Sequence, residues 1–567
     1  MITASSWVPR GFSKEHPEKY EITDEDMAKI DEVANITLDD SQKYDNEETE
    51  DNEEPIYEKA TRELKDPIEI DDDLKEYDLE NYDNDEAQEG ETPSIFPGLS
   101  NTGAKVQNEE NDAYLRLPSK VEEEEEKEEL HIYPTDNLVL ATRTEDDISY
   151  LDVLVYDDGA GTPQGAQEEE GDSDAYMEKG FVREPNLYAH HDVMLPAFPL
   201  CIEWINYKVG IGEERTLDNL GNFVAVGTFD PTIEIWNLDY VEKSFPDMIL
   251  GDMSYLLKGA KKSKKKSHVT SHHTDAVLSL AHNKYHRNVL ASTSADTTVK
   301  LWDLSTGTAV RSMNTTHSKK TVSTTQWHAN EETILLTGGY DGTCGVSDVR
   351  IADSEQMTKS YHVTKGEEVE NVSWGHPSKP ELFFAGTDGG NVYCFDVRNQ
   401  DNPLWTLHAH DAGISSLSTN SFIPSMLATT AMGEKTVKLW KAPVDSPGGP
   451  SMVLSRDFGV GNVLTSSFAC DIEVAGHISV GGVNGALKMW DLFSNKSVRK
   501  SFGSELKQVQ LYARSAAKLQ GRASRIARKY QNDTADSIFT AQAGALDNES
   551  DSEDQDATEE KNGEVDM

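Results

Sequence analysis

The sequence predicts an all-β fold, a propeller of seven four-stranded blades, and three observations carry that prediction. First, residues 272–304, HHTDAVLSLAHNKYHRNVLASTSADTTVKLWDL, hold three short apolar runs: Ala276 to Leu280, Val289 to Ala291 and Val299 to Leu301. Turn-prone residues divide them, at Asn283 and at Ser294 to Asp296. Runs of this length, rich in β-branched residues and so closely punctuated, read as antiparallel strands. Second, a His at the head of the stretch (His273) and a Trp-Asp pair at its end (Trp302, Asp303) mark a repeat that forms one blade. Asp296 lies six residues before Trp302, in the turn between the second and third strands. There it can accept a hydrogen bond from His273, and Ser292 can continue the chain of bonds to the indole. A buried network with every member satisfied fixes how one strand lies on the next. Third, the six-residue spacing recurs: Asp230 precedes Trp236, Asp341 precedes Ser347, Glu434 precedes Trp440 and Asn484 precedes Trp490. A looser copy has Asp388 seven before Phe395, and the most degenerate ends at Tyr156-Asp157.

The seven terminal positions are therefore 156, 236, 302, 347, 395, 440 and 490. Four of the six intervals fall between 45 and 50 residues, near the roughly 40–45 of a WD40 blade. The two long intervals, 80 and 66, hold insertions at about 158–186 and 243–268. The expected fold is a seven-bladed WD40 β-propeller over residues 131–503, a ring that leaves few strand edges exposed. A generic β-sandwich gives no reason for Trp-Asp at this period. The positions expected to be structural are Trp236, His273, Ser292, Asp296, Trp302, Asp303, Asp341, Asp348, Asp396, Trp440, Trp490 and Asp491.

Taken in order, the chain opens on an acidic arm. Residues 1–130 carry 42 Asp and Glu against 13 Lys and Arg, a net of −29 out of −51 for the whole chain. A segment so charged, with few clustered apolar residues, buries too little surface to offset its ordering entropy and is expected to be largely disordered. Three islands interrupt it: WVPRGF at Trp7 to Phe12, a helical pattern at Thr23 to Ala34, and DDDLKEYDLENYD at Asp71 to Asp83. They read as linear motifs that order on a partner; the alternative is residual hydrophobicity in a disordered arm. The first blade begins with LVLA at Leu138 and YLDVLVYDD at Tyr150, then an acidic, Gly-rich excursion intervenes before Leu187. His190 and His191 follow with no carboxylate or Cys at ligand spacing, so they read as structural hydrogen-bonders.

The second insertion has the opposite sign. Lys258, Lys261, Lys262, Lys264, Lys265 and Lys266 lie within nine residues, a concentrated positive site for phosphate or a nuclear import receptor. Blades three to seven follow with short connections. Residues 504–530 are expected to form a basic helix, with Val509, Tyr512, Ala516, Leu519 and Ile526 on its apolar side. Lys507, Arg514, Lys518, Arg522, Arg525, Arg528 and Lys529 supply seven positive charges. Guanidiniums so placed bind phosphates and fit A-form RNA by shape; the alternative is a helix packed on the propeller with a solvated basic face. Residues 531–567 are expected to be an acidic, disordered tail with candidate phosphosites at Ser550 and Ser552.

Several classes of function are excluded at this level. Four scattered cysteines (Cys201, Cys344, Cys394, Cys470) form no CxxC and no metal spacing with His, the usage of an intracellular protein with reduced thiols. No signal peptide and no run of 18 apolar residues occurs, so neither secretion nor membrane insertion is expected. No GxxxxGK[ST], HExxH, GxSxG or kinase signature is present. The acidic pairs lie in arms without a pocket to tune their pKa values. The expectation is a protein without enzymatic activity, cofactor or metal.

Motifs outside the repeats carry a resemblance. WVPRGFSKE at Trp7 to Glu15, DDDLKEYDLENYD at Asp71 to Asp83, HHDVMLPAFPLCIEW at His190 to Trp204, the lysine loop and the His273 to Asp303 repeat are similar to the periodic tryptophan protein family, first of its two types, in its fungal form. The similarity runs from the N-terminus to about residue 505. It implies a nucleolar, hence nuclear, scaffold for assembly of the large (60S) ribosomal subunit and maturation of ribosomal RNA. The implied partners are pre-ribosomal particles, with their assembly factors, ribosomal proteins and precursor RNA. Animal members are also associated with chromatin and ribosomal RNA gene transcription, which makes a histone-binding module the alternative.

Overall fold

The computed structural model of the chain describes residues 1–20, 130–158, 185–210, 219–252, 268–443, 448–519, 524–527, 529–530 and 538–541. Seven four-stranded antiparallel sheets form the blades of a closed propeller. Blade 3 is the plainest, built from Val277–His282, Val289–Ser294, Val299–Asp303 and Thr308–Met313 in sequence order. Its third strand ends on Trp302 and Asp303, and residues 156, 236, 347, 395, 440 and 490 all fall at the same point of their own blades. The repeat frame read from the sequence is the frame of the fold.

The ends of the ring depart from the expected boundaries. The inner strand of blade 1 is Ile2–Val8, which pairs with Asn137–Glu145 across the whole acidic arm. It takes its place between the inner strands of blade 2 (Pro199–Ile205) and blade 7 (Val463–Phe468). The arm therefore does not begin at residue 1. Phe12 packs edge-on against Trp204 at 4.9 Å between ring centroids, and Glu18–Lys19 pairs in parallel with Tyr240–Val241. At the other end, Ile538–Ala541 is the outer strand of blade 7, paired with Leu487–Asp491, so the propeller does not stop at 503. The outer strand of blade 2, Met248–Leu250, likewise lies inside the stretch expected to be an insertion. In each case a strand that is short or far in sequence from its partner is recruited by an edge that would otherwise keep unpaired N–H and C=O groups.

A bulge shared by all seven inner strands explains how the blades mesh. The register of each shifts near its start, at Ile2, Pro199, Val277, Val322, Val369, Ile414 and Val463. A bulge adds right-handed twist and re-aims a side chain. In blades 3, 5, 6 and 1 the bulged residue points at a glycine of the preceding blade: Val277 at Gly227, Val369 at Gly338, Ile414 at Gly386 and Ile2 at Gly481. A Cβ on Gly481 would lie 2.5 Å from Ile2, and one on Gly386 2.9 Å from Ile414, so close approach demands glycine. Ile2 is seated as its counterparts are.

Candidate functional site at the ring closure and the C-terminal helix

The structural positions sort into complete and partial networks. In blade 3, His273 Nδ1 lies 2.9 Å from Asp296 and its Nε2 2.7 Å from Ser292 Oγ, which also accepts from Trp302 Nε1 at 2.8 Å. Blade 6 repeats this with His410, Glu434, Thr429 and Trp440 at 2.7, 2.8 and 2.9 Å. Blade 4 keeps His317, Asp341 and Thr337 but has Ser347 where the indole would be. Blades 2 and 7 have the tryptophan without the network: Trp236 donates to Glu234 at 3.2 Å, and the buried N–H of Trp490 has no partner among the described residues. The acidic residue six before the tryptophan thus completes a brace only where a His faces it. Of the remaining aspartates, Asp303 and Asp348 accept from the backbone of the turn that follows and Asp396 pairs with Arg398 at 2.7 Å.

Burial alone would raise the pKa of Asp296, but donation from His273, from the Thr298 hydroxyl and from the Thr274 N–H holds it well below the ordinary carboxylate range. A depressed folded-state pKa gives stability that is complete above the unfolded value of about 3.9 and is lost as pH falls through and below it. Asp296→Asn should therefore lower stability at neutral pH. Urea melts should show its difference from the wild type shrinking as the pH is taken from about 5 to about 2.

Where blade 7 meets blade 1, side chains from the two ends of the chain converge. Arg10 donates to Asp158 and to Asn137 Oδ1, each at 2.7 Å, and its backbone N–H reaches Asp471 of blade 7 at 3.0 Å. Arg525 stands 3.6 Å from the second oxygen of Asp158. Tyr156 OH meets His477 Nε2 at 3.0 Å. Asp491, fully buried, accepts from Lys529 Nζ at 2.8 Å and places both oxygens 2.8 Å from the Tyr530 hydroxyl. Although burial opposes it, this company holds the Asp491 carboxylate below its ordinary range. Nearby Asp136 is pushed up to about 7 by burial and by Asp157. Glu473 secures the returning chain by accepting from Ser524 and from the Ile526 N–H.

Two of the candidate RNA-contact residues are thus used inside the molecule: Arg525 faces Asp158 and Lys529 faces Asp491. Their partners come from blades 1 and 7, far away in sequence, and no local pattern announces them. The helix itself is Gly503–Leu519, shorter than 504–530. Its buried side is Leu506, Val509, Ala513 and Ala517, whereas Tyr512 and Leu519 of the expected apolar stripe point outward. Small alanines let the helix approach the ring more closely than the larger residues would, and Lys441 to Glu505 at 2.7 Å pins its first turn. Lys507, Arg514 and Lys518 are exposed. Lys258, Lys261, Lys262, Lys264, Lys265, Lys266, Arg522, Arg528, Ser550 and Ser552 lie outside the described residues, as do the islands at 23–34 and 71–83.

His190 lies 2.8 Å from His191 and 3.1 Å from the Leu130 carbonyl, while the buried Nε2 of His191 has no partner among the described residues. Among the described residues no group of three His, Cys, Asp or Glu could hold a metal ion. A cavity of about 700 Å³ opens between blades 4 and 5, walled by Ile334, Val346, Tyr361, Trp374 and Val397.

Residues 264–303 and 401–441 match the WD domain, G-beta repeat family. These are blades 3 and 6, the two with complete networks. Over 563 residues the chain is 55% identical to periodic tryptophan protein 1 of Saccharomyces cerevisiae, covering 95% of this chain and 96% of that protein. It is 39% identical to an uncharacterized WD repeat-containing protein of Schizosaccharomyces pombe, over 89% of this chain and 92% of that one. It is 31% identical to the periodic tryptophan protein 1 homolog of Drosophila melanogaster, over 78% and 83% of the two chains.

Proposed function

The chain belongs to the periodic tryptophan protein 1 family, and from that premise we propose that it is a non-enzymatic nucleolar assembly factor, a rigid WD-repeat scaffold in large-subunit ribosome biogenesis and ribosomal RNA processing. One observation carries the scaffold reading: three buried histidines and the cations of the closure are spent on holding the ring together. His273, His317 and His410 face carboxylates of their own blades, and Arg10, Arg525 and Lys529 face those of the closure. The Ser292, His273 and Asp296 bonds have the connectivity of a hydrolytic triad, but Ser292 and His273 are 0% and 1% exposed, so no substrate reaches them. What remains for function is shape and surface.

Precursor RNA and the assembly factors and ribosomal proteins around it are the partners in this reading. The ring is acidic on balance, so contact with a polyanion falls to the dense lysine loop at Lys258 to Lys266. Replacing its six lysines with Ser should weaken binding to structured RNA. It should also flatten the slope of log affinity against log salt by about 0.7–0.9 for each phosphate that the loop no longer neutralises. An unchanged slope would mean that the loop touches no RNA. The assembly role is tested by sedimentation: the chain should travel with large-subunit precursors and leave chromatin when salt is raised. Salt-resistant retention on chromatin, without co-sedimentation, would favour the histone-binding reading.

A further inference from the structure

The helix Gly503–Leu519 has an outer face that the ring does not use. Leu511 is 64% exposed, Tyr512 66% and Leu519 90%. Lys507, Arg514 and Lys518 lie among them, exposed and without an ion pair among the described residues. Residues 507, 511, 514 and 518 follow the i, i+4, i+7, i+11 spacing of one helical stripe, and 512 and 519 lie in the next. Cations and large apolar residues are thus mixed on one surface about 18 Å long. Single exposed apolar residues are ordinary, but three large ones so close together on one helix face add nothing to the fold and form a patch.

The surface is also pre-formed. The opposite side is buried against blades 6 and 7. Gln510 donates to the Ile526 carbonyl at 2.9 Å, and Glu505 is held by Lys441. A partner meeting this face need not order it first, which removes one of the main costs of association.

We propose that this face docks an acidic segment of a partner protein that carries its own apolar side chains. Carboxylates of that segment meet Lys507, Arg514 and Lys518, while its apolar residues cover Leu511, Tyr512 and Leu519. The leucines choose between polymers. RNA would satisfy the cations and could stack a base on Tyr512, but its backbone leaves Leu511 and Leu519 in water. An amphipathic acidic peptide desolvates all six, with carboxylates complementing the cations. This goes beyond the assembly-factor reading and does not depend on which particle the chain joins.

The test places a photo-crosslinking amino acid at Ser515, between the two stripes, in the full chain expressed in cells, and sequences what it captures. Two variants accompany it: Lys507→Glu/Arg514→Glu/Lys518→Glu, and Leu511→Ser/Leu519→Ser. All five positions are exposed, so the melting midpoint should stay at that of the parent. The expected result is one dominant adduct to a peptide rich in Asp, Glu and apolar residues, reduced roughly tenfold or more in both variants. A nucleotide adduct overturns the proposal, as does a peptide adduct abolished by the charge reversals but kept without the leucines. Absence of any adduct at Ser515 overturns it too.

Discussion

A chain that starts at Ser13 should not form a stable propeller. The residues removed include Ile2, Trp7 and Val8, which are 1%, 5% and 0% exposed. Burial of a large apolar side chain contributes about 1.5–3 kcal/mol, so the three together contribute roughly 5–9 kcal/mol. A domain has only about 5–15 kcal/mol to lose. The deletion also strips the inner edge of Asn137–Glu145, and it leaves Ser467 and Ser479 of blade 7 without the Trp7 indole N–H that reaches them at 3.1 and 3.2 Å. Asp158, buried, loses Arg10. Circular dichroism and urea melts of the truncated chain should show loss of the cooperative transition. The complementary experiment cuts the chain at a protease site engineered beside Gly90. Residues 1–20 should then stay bound through gel filtration. A truncated chain that melted like the intact one would show that the strand Ile2–Val8 is dispensable.

How much of this is legible in the sequence depends on how locally each feature is written. The third strands are legible because six of the seven end on an aromatic residue, and the seventh on Ser347-Asp348, at a spacing that is even outside two insertions, and the fold class and blade count follow from them. The inner strand of blade 1 is not, because its partner begins at Asn137 and the intervening residues say nothing about pairing. Yet a signal is there in Ile2: six other inner strands begin beside an apolar or proline residue that seats at the bulge, and ITASSWV repeats that pattern. Ile538–Ala541 is four residues long in polar surroundings, below what periodicity can resolve. The C-terminal helix is visible as a helix, and Val509 and Ile526 of its expected apolar stripe are buried, but Tyr512 and Leu519 are not. Size points to Tyr512 and Leu519, whereas close packing selects Ala513 and Ala517. The roles of Arg525 and Lys529 cannot be read from sequence at all, since positive charge looks the same whether it awaits a phosphate or faces Asp158 and Asp491.

Trp302→Ala should be the most damaging single change within a blade, costing about 3–5 kcal/mol. The indole is 1% exposed and lies in a cluster with Ile205, Phe223, Ile235 and Leu290, so it seals blade 3 against blade 2. Its N–H also donates to Ser292 Oγ, which His273 ties to Asp296. Two comparisons separate packing from hydrogen bonding. Trp302→Phe keeps much of the ring but loses the donor, and should cost less, with about 0.5–1.5 kcal/mol owed to the hydrogen bond. Asp296→Ala leaves buried donors unpaired and should cost about 1–3 kcal/mol. Blade 4 has Ser347 at this position, where it bonds to Thr358 at 2.8 Å, and Met357 and Trp327 belong to the cluster that joins blade 4 to blade 3. Around Trp302 the indole is itself a member of the cluster that joins blade 3 to blade 2. Urea melts of the three variants should therefore rank Trp302→Ala below both others. Equal midpoints for Trp302→Ala and the wild type would mean that the indole is not what seals blade 3 to blade 2.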